Sequence, residues 1–381
     1  MQFHLSEDQI AIRDTIGAFL ADNYDLHARQ AIIDGPAQWS PEIWDRFAKD
    51  LGLLGLTFPE SVGGLDGGPV DTLLVMDQFG EALVVEPYLE TCVIGAAILR
   101  QSRSELARDL LQRAAAGTAR FALAWQEEGA RYAPQRAATV ATRKDGGFLI
   151  DGRKSMVVAA PAATHLFVTA TVADEQDGMA IFAVASDHPA LRCREGRTID
   201  GKGVAEVVFD ACAVDVDALI IQPSGGISVI GEALDAAIAA LCAEAVGIMR
   251  RLLRVTLDHL EQRRQFGSAL IDFQALQHRL ADMHVHYELA QAMAFFAADL
   301  LSEAAERRTA GVSACKVSIG EALRAVAQDA VQMHGAMGIT DESTVGHLFK
   351  RATALENEFG SIDYHLDRML SAGVAKIPAV L

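Results

Sequence analysis

The chain has 381 residues, 51% hydrophobic and 22% charged, which is the composition of an ordered globular protein large enough for two or three domains. Its 33 basic and 51 acidic residues leave a formal charge of −18. A surface that negative repels phosphate backbones and argues against nucleic acid as a partner. An anionic nucleotide cofactor would need a local arginine cluster or helix N-termini.

Leu5-Ser6-Glu7-Asp8-Gln9 reads as an acidic helix start and not as a signal peptide. Ser6 and Gln9 have capping-box spacing, and Ile12, Ile16, Phe19 and Leu20 follow on one helical face. Ser40-Pro41-Glu42 starts another helix with the stripe Ile43, Trp44, Phe47 and Leu51, closed by Gly52. A glycine-rich loop spans 59–69, and helices are expected near 70–83, 88–101 and 104–116. The pattern then turns to strands: 139–142, a turn at Asp145-Gly146-Gly147, then 148–150, 165–170, 180–184 and 204–209. From Ile227 the chain is helical again, with long amphipathic stretches up to about Arg264, over 273–304 and over 311–335. The expected class is α+β: an N-terminal helical domain (1–118), a middle β domain (119–224) and a C-terminal four-helix bundle (225–381). Five dispersed cysteines without CxxC spacing suit reduced thiols in a cytoplasm. The long apolar run of 236–249 is interrupted by Glu244, so no membrane span is expected.

Four segments in order resemble the acyl-CoA dehydrogenase family. They are Phe3-His4-Leu5-Ser6-Glu7-Asp8-Gln9; Leu51 to Leu56 with Pro59-Glu60 and Gly63-Gly64; Arg263-Arg264-Gln265-Phe266-Gly267 with Phe273-Gln274 and Leu280 to Met283; and Gln332-Met333-His334-Gly335-Ala336-Met337-Gly338 with Thr340 and Glu342. The resemblance implies FAD at a subunit interface, its ring on the β domain and its ADP half on C-terminal helices of a neighbour. Arg263 would pair with the pyrophosphate. Phe266 would pack by the adenine, with Gln265 beside it and Gln274 as a donor. Gly335 and Gly338, beside Gln332, would let the backbone approach a phosphate. The implied substrate is an acyl-CoA thioester, and electron-transfer flavoprotein is the implied acceptor.

The family's flavin-facing Thr-Glu-Pro and Trp-Ile-Thr runs correspond here to Ala124-Trp125-Gln126 and Met156-Val157-Val158, without their hydroxyls. Gln126 to Tyr132 resembles the smaller subunit of bacterial heteromeric (α2β2) acyl-CoA dehydrogenases of the pimeloyl-CoA and steroid side-chain type, enzymes of lipid or steroid degradation. The chemistry implied is α,β-desaturation, proton loss from the α carbon to a carboxylate in a dry pocket and hydride transfer to flavin N5.

The family's usual base position, a Glu before a glycine, is filled here by Phe359-Gly360-Ser361. The alternative position thirty residues before Gly267 is Ala237. Glu244, two turns further on, is a candidate acid/base residue or else paired with an arginine at a subunit interface. Glu356 and Glu358 are weaker candidates, expected on a solvated face. His284 and His286 point apart on a helix, so no metal site is expected. Three functions follow: a subunit that works with a non-identical partner, a self-sufficient homo-oligomer with a relocated base such as Glu244, or a non-catalytic structural subunit.

Overall fold

The computed structural model describes residues 5–132, 137–173 and 175–372, so Phe3 and His4 of the opening segment lie outside the described residues. The chain divides into two units, one of residues 30–68 and 85–237, the other of residues 1–29, 69–84 and 238–381.

In the first unit, which takes α2 (Leu26–Asp34) from residue 30 onward, the proline at position 41 opens helix α3 (Pro41–Lys49). Ser40 Oγ accepts from the Ile43 amide, 3.2 Å, and Ile43, Trp44 and Phe47 are buried. Trp44 Nε1 reaches the Gly117 carbonyl at 3.0 Å. A π-helical stretch (Leu89–Gly95) leads into α5 (Ala96–Arg100), followed by α6 (Glu105–Ala115). The strands are β1 (Phe121–Ala124), β2 (Val140–Lys144), β3 (Gly147–Val158), β4 (His165–Val172), β5 (Glu175–Ala185), β6 (Leu191–Arg197), β7 (Gly203–Asp215) and β8 (Leu219–Ile221). They form one sheet in the order β6-β7-β3-β2-β4-β5-β8, with β1 parallel to β4. Phe148, Ile150, Leu166, Val168, Phe182, Val207 and Phe209 fill its core. Strand β6, Leu-Arg-Cys-Arg-Glu-Gly-Arg, is mostly exposed at the sheet edge, so hydrophobic alternation does not announce it. β1 and β8 are too short to show a period.

Lys154 on β3 is completely buried, and its Nζ donates to Glu127 Oε1 at 2.6 Å and to Thr169 Oγ1 at 3.0 Å. Burial pushes the ammonium down to about 8 against the pull of Glu127. Burial alone would raise Glu127, but hydrogen bonds from Lys154 and Thr139 outweigh it and hold the carboxyl below its ordinary value. Glu127 therefore stabilises the fold above the ordinary carboxylate range, a contribution lost as the pH falls. Lys154 acts in the same direction but in an alkaline window. Between about 8 and its ordinary value of 10.5 the unfolded chain binds the proton more readily, so stability rises with pH there. Glu127→Gln would strand the ammonium, at a cost of about 3–5 kcal/mol. Urea midpoints should show that loss at about pH 6 and a smaller one at about pH 9.5, where the amine is neutral.

The second unit is helical: α1 (Glu7–Asn23), α4 (Pro69–Ala82), α7 (Pro223–Gln262) beyond residue 237, α8 (Gln274–Leu300), α9 (Ala305–His334), α10 (Thr344–Asn357) and α11 (Ile362–Ser371). Ser6 and Gln9 cap α1 reciprocally, as their spacing predicts. Proline at its first position starts α7 four residues earlier than the sequence pattern suggested. An 18-residue window of α7 has mean hydropathy 1.7, but 67% of it is buried within the chain, as in a core helix. α4 and α7 cross with their backbones in contact. A Cβ on Gly80 would lie 2.0 Å from the Glu244 carbonyl oxygen, and one on Gly247 would lie 1.9 Å from that of Asp77. Around the crossing, Arg250 pairs with Asp77 and Glu81, both at 2.7 Å. Gly247→Ala should force the helices apart and cost about 2–4 kcal/mol in chemical denaturation. A change within about 0.5 kcal/mol would show that the crossing tolerates a methyl group.

Candidate functional site

The end of α7 turns through a small hairpin, β9 (Arg264–Gln265) and β10 (Ser268–Ala269). Its two turn residues, Phe266 at φ 53° and Gly267 at φ 86°, both have positive φ, as a tight hairpin with right-handed strand twist requires. The turn holds the Phe266 ring in solvent, 92% exposed, with only the edge of Phe273 near it at 6.2 Å. Arg263 is anchored through its backbone, its amide donating to the His259 carbonyl at 2.9 Å and its carbonyl accepting from Leu270 at 2.8 Å. Its exposed guanidinium has no partner among the described residues. Gln274, at the start of α8, and Gln332, in the last turn of α9, are also exposed. Gln265 is exposed with its amide on the Arg264 carbonyl, 2.8 Å.

The rings of His259 and His334 stack at 4.3 Å and join the last turns of α7 and α9. This brings the Arg263 and Gln332 segments into one neighbourhood. Burial, with His334 and Arg263 nearby, holds His259 below its ordinary value, so its ring is neutral near pH 7. Gly335 caps α9 at φ 61°, ψ −143°, a conformation open to glycine, with free space where a side chain would stand. Gly338 differs from the sequence expectation. It is buried, and a Cβ there would meet His334 of its own turn at 2.9 Å, so its small size serves local packing.

The three carboxylate candidates are engaged by arginines. Glu244, with 4% of its side chain exposed, takes both its oxygens to Arg351, Oε1 to Nε at 2.5 Å and Oε2 to Nη2 at 2.7 Å. The arginine belongs to the same chain and not to a subunit interface. Arg351 Nη1 also donates to Glu358 at 2.8 Å, and Arg324 pairs with Glu356 through Nε at 2.9 Å. Neither glutamate is therefore a merely solvated group. Lys316, buried beside this cluster and pushed down by that burial, caps the Leu355 carbonyl. The expected base position has no carboxylate: Phe359 stands at φ 59° and Gly360 at φ 136°, in the turn before α11. Arg351 and Lys316 were missed in the sequence because their partners lie on other helices. On α8, His284 faces Glu288 at 3.6 Å.

In the sheet unit, the stretches aligned with flavin-facing strands supply no hydroxyl. Ala124 is buried and Trp125 half-buried, while Met156 protrudes, 55% exposed, at φ 50°.

Comparison with known proteins matches residues 6–118, 122–212 and 224–373 to the acyl-CoA dehydrogenase N-terminal, middle and C-terminal domains. The chain belongs to the acyl-CoA dehydrogenase family. It is 27% identical to the "Probable acyl-CoA dehydrogenase YngJ" of Bacillus subtilis over 365 residues, 93% of this chain and 95% of that one. It is 30% identical to benzylmalonyl-CoA dehydrogenase of Aromatoleum aromaticum, over 78% and 80% of the two chains. Its fold is similar to a chain of the ChsE4-ChsE5 complex of Mycobacterium tuberculosis, with TM-score 0.86, 23% identity and all of both chains covered. The helical, β and helical parts are the fold of this family, an FAD-dependent oxidoreductase class with acyl-CoA substrates. The exposed side chains of Arg263, Phe266, Gln274 and Gln332 and the open Gly335 have the chemistry that the ADP half of that cofactor requires. The stretches aligned with the flavin-facing strands offer its ring no side-chain hydroxyl.

Glu244 holds both its oxygens on one guanidinium. Glu244→Gln should lower unfolding stability by about 3–5 kcal/mol in urea titrations, because Arg351 loses a buried partner. Unchanged stability with abolished turnover would restore the acid/base role.

Proposed function

We propose that this chain is a subunit of an FAD-dependent acyl-CoA dehydrogenase that desaturates an acyl-CoA at its α,β bond together with a non-identical partner, which supplies the base and the ring-binding β domain. The observation that carries this is the state of the carboxylates. Glu244, Glu356 and Glu358 are each held by an arginine, and Phe359-Gly360 fills the place of the family's glutamate. A carboxylate whose oxygens are taken up by a guanidinium is not free to reach a substrate carbon, since leaving the arginine breaks the pair. Glu244 is structural in this reading.

What the chain contributes is cofactor binding. Arg263 offers rigid donors to a pyrophosphate, Phe266 an apolar face, and Gln265, Gln274 and Gln332 amide donors, while Gly335 lets backbone approach. Bound FAD supplies the hydride acceptor. Residues 1–118, 119–224 and 225–381 are the domains of this subunit, and electron-transfer flavoprotein is its electron acceptor, in a cytoplasmic α2β2 assembly. That a similar fold occurs in a complex of two differently named chains is in keeping with the reading. The subfamily resemblance favours a bulky acyl group of the steroid side-chain kind.

Co-purification from the native host should yield a second acyl-CoA dehydrogenase chain and a flavin spectrum amounting to about one FAD per two chains. The chain expressed alone should hold little flavin and oxidise no acyl-CoA. Yellow, active, homogeneous protein from this single gene would overturn the proposal.

A further inference from the structure

A cavity of about 690 Å³ lies within the helical unit, framed by α1, the ends of α4 and α2, α7 and α8. That is the size of a small-molecule site. Its walls carry Arg13, Arg29, Arg250, Arg251 and Arg254, against the carboxylates of Asp25 and Glu81. Such a concentration of guanidinium groups is the reverse of the chain's overall charge of −18.

Most of these arginines have partners on one side. Arg250 pairs with Asp77 and Glu81, Arg254 also reaches Glu81, Arg13 leans on Asp14 at 2.7 Å, and Arg29 Nε donates to the Leu83 carbonyl at 2.7 Å. Arg251 differs. It is half-buried and makes no hydrogen bond or ion pair among the described residues. Burial and then the like charge of Arg254, three residues along the same helix face, push its guanidinium below the ordinary value. A half-buried cation next to another cation, facing a cavity, is a cost that an anion in the cavity would remove. None of Arg263, Phe266, Gln274, Gln332, Gly335 or Glu244 lines this space.

We propose that the cavity is a second ligand site, distinct from the cofactor residues, and that it takes an organic phosphate whose phosphoryl group lies against Arg251 and Arg254. A phosphoryl group presents three terminal acceptor oxygens and so can serve guanidinium forks approaching from α1 and α7 at once, which a flat carboxylate does less well. The volume far exceeds a bare phosphate, which leaves room for an organic part. Tyr24 and Tyr287 stand on the wall for it, and Arg13, Arg250 and Gln291 also border a smaller cavity of about 210 Å³ whose lining includes Leu73, Leu74, Phe295 and Asp77.

The test is calorimetric titration of the full chain, with any subunit that co-purifies, in a buffer free of phosphate. The probes are phenyl phosphate and benzoate, which share a ring and differ in the acidic group. Phenyl phosphate should bind saturably at one per chain, and benzoate about tenfold more weakly. Arg251→Gln, which removes no bond within the chain, should weaken phenyl phosphate about tenfold, whereas Arg263→Gln should leave it unchanged. The site is refuted by no saturable binding up to about 10 mM, well above weak-site affinities. It is refuted equally by full binding in Arg251→Gln, or by a loss in Arg263→Gln instead. Benzoate binding as tightly as phenyl phosphate would overturn the assignment of the ligand as a phosphate.

Discussion

The contact between α4 and α7 at Gly80 and Gly247 sets the geometry of the helical unit. Two helices whose backbones touch have no side chains to take up slack, so their relative position is fixed within tenths of an ångström. From that crossing, α7 holds Glu244 on the preceding turn and Arg250 on the next. The close approach puts Arg250 and Arg254 against the carboxylates of α4, Asp77 and Glu81, and leaves Arg251 on the cavity wall without an ion pair among the described residues.

A second constraint is the burial of charge. Glu244, Arg351, Glu358 and Lys316 share the interior of the bundle, an arrangement sustained only because each charge meets a partner or a carbonyl. Lys154 and Glu127 do the same in the sheet. Such clusters tie their side chains to one arrangement of the helices or strands that carry them, since breaking one pair strands a buried charge. The exposed hairpin at Arg263 is the opposite case, with polar and aromatic groups left open to solvent beside a turn of two positive-φ residues. Groups with little engagement inside the chain are what a ligand from outside it requires.

Local sequence carries much of this architecture. The capping box at Ser6, the proline at position 41, the Asp145-Gly146 turn and the 3.6-residue periodicity of α3 all act over a few residues and can be read directly. The polar edge strand β6 and the three-residue β8 escape such reading, because an exposed edge has no apolar face and a short strand no period. At the candidate site, the Arg-x-x-Phe-Gly turn and the glycine at 335 were visible in the sequence, since their conformations are local.

What the sequence determined, then, is the order of helical and β segments, the family signatures and the absence of a glutamate before Gly360. What only the tertiary structure decided is the state of each charge. Arg351 lies 107 residues from Glu244, and Asp77 lies 173 from Arg250. No pattern in the sequence pairs them, because a salt bridge between helices depends on how closely two backbones approach. Between α4 and α7 that distance is set by two glycines whose lack of side chains shows its consequence only in three dimensions.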